Sequence, residues 1–71
     1  GEERMSRIII IELHTADRLQ FVTAASSQGQ ANAEVRKHRD RFPAATRVDF
    51  HDWREVGDRW TKDPVYSEQL T

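Results

Sequence analysis

The chain has no cysteine, only three glycines and two prolines in 71 residues, and no apolar run longer than the four isoleucines Ile8 to Ile11. Without cysteine, no disulfide can staple the fold and no thiolate can hold a metal. Four apolar residues fall far short of the roughly 20 that cross a bilayer, and the N-terminus lacks the pattern of a secretory signal, so no membrane contact and a cytoplasmic location are expected. Gly1, Gly29 and Gly57 form no phosphate-cradling run. Neither sign of charge dominates: 11 Lys and Arg stand against 12 Asp and Glu, a net charge of −1. Such a balance excludes the global basicity of a non-specific nucleic-acid binder and the strong acidity of a DNA mimic, so any electrostatic function must be local.

A chain of this length fits one domain, and a domain so small buries only about 60% of the surface its unfolded chain exposes. Its stability margin is therefore thin, and packing, a partner or self-association must widen it. Gly1-Glu2-Glu3-Arg4 ahead of Met5 reads as a cloning remnant, residues 5–66 as a single ββαβ domain and residues 67–71 as a tail.

Arg7 to Leu13 is rich in β-branched residues, with Ile9, Ile11 and Leu13 on one face and Ile8 and Ile10 on the other, so both faces want cover. The polar stretch from His14 to Arg18 suits a hairpin loop, after which Leu19 to Ala25 resumes strand chemistry with Leu19, Phe21 and Thr23 on a common side. Ser27 and Gln30 have capping-box spacing, predicting a helix to about Arg41 with Ala31, Val35 and Phe42 as its apolar stripe; Pro43 ends it. Residues 46–51 alternate as a half-buried third strand with Val48 and Phe50 inward. A right-handed crossover through the helix makes this strand parallel to the second and antiparallel to the first, if it lies beside the first. The expected fold class is thus α+β: a small antiparallel three-stranded sheet of order 2-1-3, one main helix, and a short C-terminal helix or fourth strand.

That last element stays open. Asp52 and Glu55 have capping-box spacing, and Trp53, Val56 and Trp60 share a helical face that would lid the second face of the sheet. Alternatively, a turn at Gly57-Asp58 leads into a fourth strand with Trp60. Trp53 and Trp60 are either core or the aromatic anchors of a partner site.

No catalytic residue is expected. Ser26 and Ser27 sit at the helix cap with no His-Asp arrangement suggested beside them. His14, His38 and His51, with Asp49 and Asp52, match no zinc spacing, so neither a metal nor another cofactor is expected. Glu34, one helical turn before His38, is placed to satisfy that ring. The one notable charged surface is basic: Arg36, Lys37, Arg39 and Arg41 on the helix, with Arg47 entering the third strand. It is either an ordinary solvated face or a contact for phosphate or an acidic protein surface.

Ile9-Ile10-Ile11-Glu12, Thr23-Ala24-Ala25-Ser26, Ala31, Phe42, Arg47-Val48 and Gly57-Asp58-Arg59-Trp60 together resemble the landmarks of very small phage-encoded ββαβ proteins, including anti-CRISPR inhibitors of type I-F surveillance complexes. The chain departs from that pattern at Gly29, at Pro43 and at His51-Asp52-Trp53. The resemblance implies a non-enzymatic inhibitor, from a phage or mobile element, that binds a host protein or nucleoprotein complex through Arg36, Lys37, Arg39 and Arg41. The alternative expectation is a small nucleic-acid-binding regulator, working as a homodimer and using the same cations on phosphates.

Overall fold

The computed structural model describes residues 6–70; the remnant read at residues 1–4, Met5 and Thr71 lie outside them. One helix and five strands follow in the order β1 (Arg7–His14), β2 (Leu19–Ala25), α1 (Gln28–Arg39), β3 (Arg47–Val56), β4 (Arg59–Lys62) and β5 (Tyr66–Gln69). The strands form one antiparallel sheet of order β2-β1-β3-β4, with β5 also paired to β3. The 2-1-3 arrangement is therefore its centre, and the isoleucine strand lies inside it.

Each element has a local cause. Ser27 caps α1 by accepting from the Gln30 amide, and Gln30 reaches back one residue further than a capping box requires, accepting from both the amide and the hydroxyl of Ser26. Thr15 closes the β1–β2 turn by accepting from the amides of Asp17 and Arg18. Gly57 makes the β3–β4 turn at φ 65°, a conformation that side chains with a Cβ rarely adopt.

Ladder partners share a face, so register sorts the whole sheet. Ile9, Ile11 and Leu13 point to the helix side with Val48 and Phe50 of β3, and α1 lies over β1 and β2 there. With Ala25, Ala31, Ala45 and Leu70 they form the core, and Phe21, Val35 and Phe42 pack against it. His38 completes the helix stripe at 7% exposure. Its ring lies 4.5 Å from that of Phe21, its Nε2 meets Glu34 as expected, and its Nδ1 faces the donor-only guanidinium of Arg41. An arginine can only donate, so Nδ1 accepts and Nε2 carries the proton given to Glu34.

The structure decides the element left open after residue 51 and departs from expectation at two other places. Of the two readings of residues 52–60, the turn at Gly57-Asp58 into a fourth strand is the one that forms, because β3 runs on to Val56 with Trp53 opposite Ile8 before the chain turns. Residues 66–69 are a strand rather than a tail: β5 continues the line of β4 along β3 after a one-residue bulge at Asp63-Pro64-Val65. Proline, which has no amide proton to give the ladder, is suited to such a bulge. Leu70 is then buried, held by its amide on Thr46 and by Arg39, whose Nη2 donates to the Leu70 carbonyl at 2.6 Å. Finally, the β1–β2 register slips at Gln20, so Leu19 pairs with His14 instead of joining Phe21 and Thr23.

Beyond the end of the helix, the same sheet face carries charge. Arg7 grips Asp52 with two bonds, Nε to Oδ1 at 2.9 Å and Nη2 to Oδ2 at 2.6 Å, and Arg54 bridges Asp52 and Asp63. The Arg7 hydrogen bond holds the Asp52 carboxyl below its ordinary value. A carboxyl lowered in the folded state contributes stability that is full above its unfolded value near pH 4 and lost as pH falls through the folded value. Asp52→Asn is therefore expected to cost about 1 kcal/mol at pH 7 and progressively less as pH falls below the unfolded value, read from urea unfolding at pH 7 and at successively lower pH. A cost that does not change with pH would show that packing, not charge, sets the effect.

Candidate binding surfaces

The helix covers one face of the sheet. Among the described residues nothing packs over the other, consistent with dimensions of 46 × 21 × 15 Å. Strand alternation divides this open face in two. At one end Ile8 lies opposite Trp53 and Ile10 opposite Ala24, with Trp60 on the neighbouring strand. Ile8 is 42% exposed, Trp53 36% and Trp60 42%. Of the two readings of the tryptophans, core does not hold for either: both project from the side of the sheet without a helix, because β3 and β4 alternate with period two.

The other end of the open face is polar. Glu12 lies directly opposite Asp49, flanked by His14, His51, Arg47 and Ser67. His14 Nε2 and His51 Nε2 both contact Glu12 Oε1, at 3.1 and 2.9 Å, and His14 Nε2 also lies 3.4 Å from Asp49 Oδ2. Asp49 Oδ1 accepts from Arg47 Nε at 3.0 Å and from Ser67 Oγ at 2.7 Å. Partial burial pushes both carboxyls up, but their hydrogen bonds outweigh it: His51 and His14 leave Glu12 below its usual value, and Ser67 and Arg47 do the same for Asp49. Glu12 was not among the residues singled out from sequence. The signal that finds it is the pairing of Glu12-x-His14 with Asp49-x-His51, which becomes spatial only once β1 and β3 are known to be neighbours.

The basic residues close in sequence do not form one patch. Arg36 and Lys37 are exposed on α1 and make no hydrogen bond or ion pair with other described side chains. Arg39 is engaged at Leu70, Arg41 lies over the Phe42 ring and against His38, and Arg47 is across the sheet, on the open face. Between α1 and β5 runs a shallow groove of about 280 Å³, lined by Val35, Arg36, Arg39, Phe50, Glu68 and Leu70. It mixes both charges with apolar floor. Ser26 and Ser27 are occupied at the helix start.

No helix among the described residues is long and apolar enough to cross a membrane. Compared with protein families, curated proteins and solved structures, the chain matches none.

Proposed function

We propose that this chain is a non-enzymatic protein-binding module that receives another protein chain on the open face of its sheet. The carrying observation is that Ile8, Trp53 and Trp60 stand exposed together on a face that nothing among the described residues covers. Tryptophan concentrates binding energy when desolvated at the centre of an interface. A face on a molecule 46 Å by 21 Å has room for the roughly 800 Å² per partner that a stable interface needs. In its narrower form the module is a phage or mobile-element inhibitor of a host nucleoprotein complex, a reading that draws on the resemblance of its strand and helix landmarks.

A photoreactive phenylalanine analogue placed at Trp60 or at Lys37 tests the choice of face in the cells that make the protein. Protein adducts from position 60 and none from position 37 are expected. Adducts from 37 alone, or from neither position, would overturn the proposal, and a nuclease-sensitive adduct at 37 would favour the nucleic-acid regulator instead.

A further inference from the structure

The polar end of the open face has a symmetry that ordinary surface charge does not need. Glu12-Leu13-His14 on β1 and Asp49-Phe50-His51 on β3 repeat one pattern, a carboxylate and a histidine either side of a core residue. Because Glu12 pairs with Asp49, the local two-fold of the antiparallel ladder carries Glu12 onto Asp49 and His14 onto His51. Leu13 and Phe50, 1% and 3% exposed, are locked in the core on the other side, which fixes the outward direction of all four polar side chains. Each histidine is thereby set diagonally beside the carboxylate of the other strand.

Two carboxylates directly opposite each other on a sheet repel, an arrangement that calls for positive charge between them. We infer that Glu12, His14, Asp49 and His51 form a binding site for a divalent first-row transition cation, with two nitrogen and two oxygen ligands, zinc being the ion whose geometry suits it. Zinc bonds to nitrogen and oxygen of about 2.0–2.2 Å put neighbouring ligand atoms of a tetrahedron about 3.4 Å apart. Glu12 Oε1 meets His51 Nε2 at 2.9 Å and His14 Nε2 at 3.1 Å, and Asp49 Oδ2 meets His14 Nε2 at 3.4 Å. The ligand atoms of Glu12, His14 and Asp49 all lie within 4.8 Å of one another, a three-ligand core that His51, held at present by Glu12 alone, would close by turning its ring toward Asp49. The carboxylate of Asp49 is also pre-oriented, since Arg47 and Ser67 hold Oδ1 and leave Oδ2 toward His14. This is the supporting shell that metal-binding carboxylates use. Coordination through Nε2 moves each imidazole proton to Nδ1, so binding needs no net loss of a proton from a neutral ring. The ion would cross-link the two central strands of a domain that has no disulfide.

The test is zinc titration of the purified full chain, free of tag histidines and first treated with chelator, followed by calorimetry and thermal unfolding. One zinc per chain and a raised melting temperature are expected, with magnesium giving neither. His14→Ala with His51→Ala should abolish that binding, Ser67→Ala should weaken it about tenfold through loss of the supporting shell, and His38→Leu, remote from the site, should leave it intact. Should the double variant fail to fold, cobalt added to the wild-type chain supplies a second readout, the visible absorption of a tetrahedral site, which zinc should quench. Absence of saturable zinc binding, binding that survives the double variant, or a wild-type cobalt spectrum of octahedral form would overturn the inference. None of these results depends on a protein partner, so failure here and failure of the proposed function are separate.

Discussion

Ile11→Ala is expected to cost about 3–4 kcal/mol, within the range for emptying a fully buried aliphatic site, whereas Ile8→Ala, three residues earlier on the same strand, should cost less than about 1 kcal/mol. The difference follows from face alone. Ile11 is 1% exposed beneath the helix, against Phe50 of β3, while Ile8 is 42% exposed and has Trp53 as its cross-strand neighbour. A domain of this length has roughly 4–10 kcal/mol of total stability. Ile11→Ala therefore removes a large share of it and leaves a measurable unfolded fraction in buffer, while Ile8→Ala should retain a sharp urea transition. Equal losses for the two variants would mean that both faces of β1 are covered.

A stop codon after Lys62 is expected to cost roughly 3 kcal/mol or more, combining about 2 kcal/mol for burial of Leu70 with about 1 kcal/mol for the bond from Arg39 to its carbonyl. The excision also strips β5 from the Arg47–Phe50 stretch of β3 and removes the Ser67 bond to Asp49. That opens an unpaired strand edge beside Val48 and Phe50, a recipe for self-pairing, so the shortened chain should unfold or aggregate at concentrations where the full chain does not. Circular dichroism and sedimentation of the two chains check this. A true tail would leave the transition within about 0.5 kcal/mol of the full chain.

The two halves of the chain differ in how far local pattern determines structure. β1, β2 and α1 were legible because each carries its own period: the isoleucine run, the alternation through Phe21 and Thr23, and the Ala31–Val35 stripe opened by Ser27. From residue 52 onward the local signals conflict. Trp53, Val56 and Trp60 satisfy helical spacing as well as a hairpin, and the strand solution places Asp52 and Arg54 on the helix side of the sheet. What makes that placement tolerable is Arg7, 45 residues away from Asp52, and Asp63 beside Arg54, pairings that no local window contains. The final strand was illegible for a related reason: Tyr66 to Gln69 are exposed, and only Leu70 and its long-range bonds hold them.

The candidate sites show the same division. Trp53 and Trp60 could be named from composition, but their exposure depends on which face the helix takes. The basic cluster looked continuous because its members are adjacent in the chain, yet strand and helix geometry send Arg47 to one side of the sheet and Arg36 to the other. Conversely, Glu12 and Asp49 are 37 residues apart and meet only through the β1–β3 register. Proximity in sequence overstated one site and hid another.

The isoleucine strand is covered on one face and bare on the other, and the binding face follows from that difference. Methyl relaxation by a soluble paramagnetic probe, measured on the four isoleucines of β1 in dilute solution, tests it directly. Ile8 is expected to relax fast, Ile10 at an intermediate rate, and Ile9 and Ile11 to be protected. Protection of Ile8 equal to that of Ile9, in a sample shown by sedimentation to be monomeric, would contradict it.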